Sequence, residues 1–277
     1  MTPQNRASTQ PWLGLEGRVC VVSGGASGIG EAIAHGLAQA GARIAVLDLD
    51  GDRGDAVARD LRAVGAAALF AHCDMTSEAS VRAAAARIQA ELGPCHALIN
   101  NAGVLRPGNL ADVSLADWNQ VLSVNLTGYL LCARAFLPPM REAACGSIVN
   151  VASISGLFPQ TGSGAYSASK AGVLLLSRQM AAEWGPCGIR SNAICPGMIR
   201  TALSARFYES PGFEASRAAV TASRRIGEPQ DIADVAVFLA SPRSAYVNGA
   251  ELSVDGGMPS MLMDMVPRPG FNWPALA

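Results

Sequence analysis

Short β-branched runs alternate along the chain with Ala/Leu-rich stretches, the rhythm of repeated βαβ units. The pattern predicts strands over 18–23, 43–48, 67–73, 97–100, 146–152, 189–195 and 251–254. Between them it predicts helices near 28–40, 52–64, 77–92, 115–137, 165–184 and 229–240. Strands covered on both faces should read as near-continuous apolar runs, and Val19 to Val22 and Ile148 to Val151 do so. Gly41, Gly65 and Gly93 stand where helix C-caps are expected. Parallel strands joined by right-handed crossovers give an α/β fold with one doubly wound parallel sheet. No internal repeat and no linker marks a second domain, so residues 14–257 read as a single domain. Two segments leave the rhythm: 198–226, and the Met- and Pro-rich stretch 258–277.

Composition sharpens this picture. Of 277 residues, 50% are hydrophobic and only 16% charged, which predicts a large core and good coverage of both sheet faces. A net charge of −1 gives no electrostatic case for nucleic acid or an anionic membrane surface as partner. No uncharged apolar run reaches about 18 residues, which argues against a membrane span. Residues 1–13 are polar, with no apolar core of a secretory signal, and read as a flexible segment. The seven cysteines include no Cys-x-x-Cys pair, so reduced, mostly buried thiols in a cytoplasmic protein are expected. His35, His72 and His96 are scattered and read as structural, with no metal site.

Candidate chemistry concentrates at a few positions. Tyr166 and Lys170 are four residues apart, so on a helix they share a face and their tips can converge. A phenol ionises near pH ~10, and a nearby ammonium favours the phenolate; lowering the pKa by about 3 units needs about 4 kcal/mol. Ser153 can offer a second hydrogen-bond donor to the same substrate oxygen. Alone, the Tyr/Lys spacing also fits an exposed helix face, and the glycine-rich stretch Ser23 to Gly30 also fits a tight loop. That stretch lies between a predicted strand and a predicted helix. There, missing Cβ atoms let the backbone approach a pyrophosphate, and the helix N-terminus favours its charge.

Together, these motifs and their order resemble the short-chain dehydrogenase/reductase family, in its single-domain, NAD-dependent branch with a Rossmann fold. The similarity runs from about Leu15 to Gly257. It rests on Ser23 to Gly30 (with Ser23 replacing the family's threonine), Asp48, Asp74, Asn100 to Gly103, Asn125, Ser153, Tyr166 to Lys170, Pro196 to Thr201 and Asp255 to Gly257. The resemblance implies hydride transfer between a nicotinamide cofactor and a secondary alcohol or ketone. Tyr166 would be the general acid/base, Lys170 would depress its pKa and hold the nicotinamide ribose, and Ser153 would stabilise the developing alkoxide. Asn125 matches a fourth catalytic position, a helix distortion that keeps a water beside the lysine; an ordinary helix-packing amide is the alternative. Gly24, Ser27, Gly28, Ile29 and Gly30 would cradle the dinucleotide. Asp48 would accept from the adenosine ribose hydroxyls and repel a 2′-phosphate, and neither Ser27 nor Leu49 is basic, so NAD is expected rather than NADP. Asp74 would meet the adenine edge, while Asn101, Ala102 and Gly103 would line the cofactor floor. Pro196, Ile199 and Thr201 would turn over the nicotinamide.

Substrate choice is expected in the loop 154–163 and a lid over 198–226, the latter containing Phe207, Tyr208 and Phe213. Their apolar character suggests a small molecule with an apolar or cyclic body; a sugar or polyol remains the alternative. An epimerase or dehydratase on the same machinery, or a non-catalytic NAD-binding protein, are further readings. Relatives are commonly dimers or tetramers, so a homo-oligomer is expected. The stretch 258–277, with Phe271 and Trp273, reads as an extended, ordered arm that packs on a neighbouring subunit or on its own.

Overall fold

The computed structural model describes residues 11–201 and 206–266. Within them one sheet contains β1 (Val19–Ser23), β2 (Arg43–Asp48), β3 (Ala68–His72), β4 (Cys95–Asn100), β5 (Gly146–Val151), β6 (Ile189–Pro196) and β7 (Glu251–Val254). The strand order is β3-β2-β1-β4-β5-β6-β7, and every pairing is parallel. Parallel neighbours need long crossovers. These contain α1 (Gly28–Gln39), α2 (Gly51–Ala63), α3 (Glu78–Glu91), α4 (Leu115–Leu122), α5 (Gly128–Glu142), α6 (Tyr166–Trp184), α7 (Phe213–Ala219) and α8 (Pro229–Ala240). The chain reverses its direction of travel across the sheet between β1 and β4, where open α/β sheets bind ligands beyond their carboxyl ends.

Successive residues of a strand face opposite ways, and the core divides accordingly. From β1, Cys20 and Val22 join the layer built with α1, α2 and α8, whereas Val19 and Val21 join that of α3 and α5. All four are buried, which explains the unbroken apolar run in the sequence. Gly41, Gly65 and Gly93 follow α1, α2 and α3 with φ of +84°, +90° and +97°, as their positions predicted.

Several expectations need correction. The helix expected over 115–137 runs on to Glu142 through Pro138 and Pro139. Each proline forfeits a helical hydrogen bond, but Phe136 and Met140 are buried against the sheet and hold the last turns in place. The same stretch is interrupted by a π turn, Ser123–Thr127, in which the Gly128 N–H reaches back five residues to the Ser123 carbonyl. As a whole, Leu115–Glu142 is long and apolar enough to cross a membrane by length and composition. Here, however, its Val121, Tyr129, Cys132, Phe136 and Met140 are buried within the fold.

Order begins earlier than residue 14. Pro11–Leu13 forms a 3₁₀ turn, Leu13 is buried, and the Arg243 Nε donates to the Trp12 carbonyl. After β7, Met258–Met265 forms a 3₁₀ helix rather than an extended arm; Pro259 sits in its first turn, where a missing N–H costs nothing. Phe271 and Trp273 lie outside the described residues. In the expected lid, Tyr208 and Phe213 pack on each other with ring centroids 6.1 Å apart. The Arg217 guanidinium lies against both rings. These two aromatics thus pack on each other within the expected lid.

Candidate active site

The carboxyl ends of the central strands bring most of the sequence-selected residues to one edge. The glycine turn leaves β1 at Ser23 and enters α1 at Gly28. Gly24 has φ +63°, and a Cβ there would lie 2.7 Å from the Ala102 Cα. A Cβ on Gly30 would lie only 2.1 Å from the Gly24 carbonyl oxygen. Both positions demand glycine because the turn folds back against the end of β4. Asn101 fastens that contact, donating from Nδ2 to the Ser23 and Gly24 carbonyls at 3.2 and 3.0 Å. Ser23 adds its Oγ as acceptor for the Asn101 and Ala102 amides. Ser27, extended at φ −162°, precedes α1 without capping it through its side chain. The helix therefore presents uncapped amides at the turn, the arrangement that binds a phosphate. Ile29 packs against the core behind it.

Asp48 closes β2 beside this turn. Its Oδ2 accepts from the Ala26 amide and its Oδ1 from the Asp50 amide, each at 3.0 Å. The carboxylate is thus oriented by backbone donors on both oxygens, with lone pairs left for further donors. Leu49, next to it, is exposed and carries no charge. Asp74 follows β3 and accepts at Oδ1 from the Thr76 amide and hydroxyl, both at 2.8 Å. These bonds pull its carboxyl pKa below the usual range. Ser77, not Asp74, caps α3.

The second cluster sits at the ends of β4 and β5 and on α6. Ser153 follows β5 in extended conformation, and its Oγ accepts from the Ser155 amide at 3.0 Å. Tyr166 begins α6, and Lys170 follows one turn later on the same face. The Lys170 Nζ donates to the Val151 carbonyl at 2.8 Å and to the Tyr129 hydroxyl at 3.4 Å, and it lies 5.8 Å from the centre of the Tyr166 ring. Asn125 occupies the middle of the π turn. Its Oδ1 accepts from the Val104 amide at 2.8 Å, while its Nδ2 donates to the Val104 carbonyl at 3.0 Å and the Ser169 Oγ at 3.1 Å. Asn125 therefore ties the loop after β4 to α6. Gly103 joins the two clusters: a Cβ there would lie 3.5 Å from Asn125 Oδ1 and 3.7 Å from Lys170 Nζ.

Electrostatics depart from the sequence reading. Burial raises the Tyr166 pKa, with a hydrogen bond to Ser153 opposing it. Burial also lowers Lys170 to about 7. The expected depression of the phenol by the ammonium is absent as a leading effect. Both groups are stripped of water, and Lys170 spends its donors on Val151 and Tyr129.

Pro196 ends β6 and is buried, and beyond it Ile199 pairs with Gly227 in an isolated parallel bridge. Thr201 comes within 3.5 Å of where a Gly28 side chain would stand, so this loop closes over the glycine turn. Sequence reasoning missed Tyr129 and Ser169, which support Lys170 and Asn125. Their signal was available only in part: Ser169 lies inside the Tyr166 to Lys170 motif, whereas Tyr129 reads as an ordinary apolar helix position.

A family profile described as "Enoyl-(Acyl carrier protein) reductase" matches residues 24–259. The chain belongs to the short-chain dehydrogenase/reductase family. It is 40% identical over 257 residues to the D-threitol dehydrogenase of Mycolicibacterium smegmatis, covering 93% of this chain and 98% of that one. It is 40% identical over 243 residues to the 3-alpha-(or 20-beta)-hydroxysteroid dehydrogenase of Mycobacterium tuberculosis, covering 88% and 90%. A crystal structure of a gluconate 5-dehydrogenase from Burkholderia cenocepacia, in complex with NADP and tartrate, superposes with a TM-score of 0.85 at 34% identity, covering 89% of this chain and 96% of that one. This short-chain dehydrogenase/reductase is accordingly an oxidoreductase of the alcohol-handling kind, and its family binds a nicotinamide dinucleotide. The turn closed by Gly24 and Gly30 and the oriented Asp48 carboxylate fit such a cofactor.

Proposed function

We propose that this protein is an NAD-dependent dehydrogenase/reductase of secondary alcohols and ketones, with Tyr166 as the proton carrier. The observation that carries this reading is the meeting of Ser153, Tyr166 and Lys170 at the sheet edge that also holds the glycine turn. The dinucleotide, when bound, accepts or supplies the hydride. In the oxidation direction the Tyr166 phenolate takes the substrate hydroxyl proton; in reduction the phenol returns it. The Ser153 hydroxyl donates to the same substrate oxygen and holds its developing charge. Lys170 binds the nicotinamide ribose and relays protons past the Asn125 turn. Ser27, Gly28 and Ile29 hold the pyrophosphate with the α1 amides; Asp74, Ala102, Gly103, Pro196, Ile199 and Thr201 line the adenine and nicotinamide ends.

Asp48 supports NAD over NADP, because a fixed carboxylate beside an uncharged Leu49 repels a 2′-phosphate. Leu157 and Phe158, exposed on the loop after Ser153, support a substrate with an apolar or cyclic body. A polyol is the second reading, favoured by the likeness to the D-threitol enzyme. We take the working form to be a homo-oligomer, and the seven unpaired cysteines support a reducing, cytoplasmic setting. A panel of cyclic secondary alcohols and linear polyols, followed by reduced-nicotinamide absorbance, tests the reading. Turnover of the cyclic alcohols with NAD supports it, and the absence of any NAD- or NADP-linked turnover refutes it.

A further inference from the structure

The amino edge of the sheet, opposite the catalytic edge, carries a groove of about 540 Å³. It is lined by Arg18 before β1, His96 in β4, Cys145 before β5, Arg190 in β6, and Pro242 and Tyr246 after α8. The strand order places the starts of β1, β4, β5 and β6 side by side, so these groups converge although they are far apart in sequence. The separation from the catalytic edge is the length of β5, about 20 Å at about 3.3 Å per residue.

The lining is electropositive and unbalanced. It contains two guanidiniums and no Asp or Glu. Among the described residues neither arginine forms an ion pair with a carboxylate. Arg190 is partly buried and donates to neutral acceptors alone: the Ser244 Oγ at 2.9 Å, and the Leu239 and Ser241 carbonyls at 3.0 and 3.1 Å. Arg18 has as its side-chain contact the Cys145 Sγ at 4.0 Å. His96 encloses an Nδ1 that has no hydrogen-bond partner, and burial together with the Arg18 charge lowers its pKa. A desolvated arginine without a counter-ion carries a cost that a bound anion removes. Guanidiniums match planar or tetrahedral oxyanions through paired N–H donors.

We propose that this groove binds a small oxyanion ligand, a phosphate ester or a di- or tricarboxylate, held between Arg18 and Arg190 at a site separate from the cofactor and substrate. Cys145 supplies a built-in reporter, being exposed beside Arg18, whereas Cys187 is half-buried and the other five thiols are buried. The ligand covers the Cys145 sulfur and slows its alkylation.

The test measures Cys145 alkylation by iodoacetamide, site by site by mass spectrometry, on the full chain. Inorganic phosphate and pyrophosphate form one arm, succinate and citrate the other, and sodium chloride at matched ionic strength is the control. The proposal expects saturable protection of Cys145 in at least one arm, with Cys187 unchanged; the arm that protects names the source of the oxyanion. Arg18→Gln should shift the protection midpoint by about tenfold or more, because one charge-assisted contact is lost. Arg190→Gln, which also frees the end of α8, should do the same, and Arg18→Lys should retain part of the protection. Protection in neither arm, equal protection by chloride, or an unchanged midpoint in Arg18→Gln would overturn the proposal.

Discussion

Lys170 offers a prediction whose size follows from its surroundings. Its side chain is buried, 3% exposed, and burial lowers its pKa from the usual 10.5 to about 7. Between those values the unfolded chain holds a proton at this position that the folded chain does not. Stability therefore rises with pH across the window, and the group costs most below about pH 7. At about 1.4 kcal/mol per pKa unit the full penalty is about 5 kcal/mol, an upper bound, and about 2 kcal/mol of it is recovered between about pH 7 and 8.5. The buried thiols act oppositely: burial raises Cys20 and Cys195 to about 12 and Cys73 to about 11. Their unfolded forms ionise first, so they lower stability above about pH 9. Comparing wild type with Lys170→Met cancels the thiols. The lost bonds to the Val151 carbonyl and the Tyr129 hydroxyl add an offset common to every pH step. Urea unfolding at fixed protein concentration, stepped from about pH 7 to 8.5, should show wild type gaining about 2 kcal/mol on the variant. A flat or falling difference would mean that Lys170 stays protonated in the fold, and the reasoning from burial would be wrong.

Other outcomes follow from the same geometry. Asp48→Ala with Leu49→Arg should move the kcat/KM preference from NAD toward NADP, since a repelling carboxylate is exchanged for a phosphate partner; comparable efficiency with NADP in the wild type would refute the role of Asp48. Truncation after Gly257 removes the exposed Leu262, Met263 and Met265 and should lower oligomer stability or alter KM for substrate while sparing NAD affinity. Native assembly mass, thermal midpoint and kinetics in the truncated protein would show the segment to be dispensable.

Much of the fold was legible because two periodicities speak plainly. A parallel strand such as β1 is buried on both faces and reads as an unbroken apolar run, and Gly41, Gly65 and Gly93 mark helix ends by their left-handed φ. The grouping of the candidate site was legible: Ser153, Tyr166 and Lys170 do come together beyond the ends of the strands, and Asp48 stands beside the glycine turn. The site was obscure where tertiary packing decides. Helix α5 continues through Pro138 and Pro139 because buried Phe136 and Met140 hold it, and nothing local announces this. Tyr129, on α5, reaches the Lys170 Nζ on the neighbouring α6, which no spacing rule encodes. The pKa directions of Tyr166 and Lys170 escaped for the same cause: charge proximity can be read from an i,i+4 spacing, but desolvation depends on what the whole fold places around the pair.

The central claim is that Tyr166 carries the proton, and Tyr166→Phe tests it most directly because the ring and its packing remain. NAD binding, followed by quenching of protein fluorescence, should be nearly unchanged, while steady-state oxidation should fall by about 10²-fold or more. Wild-type oxidation should rise with pH into the alkaline range, because burial raises the Tyr166 pKa and only the deprotonated phenol can accept the substrate proton. Loss of turnover with NAD affinity retained is the predicted result. Turnover in Tyr166→Phe close to that of wild type, with the same pH profile, would contradict the account and require another acid/base.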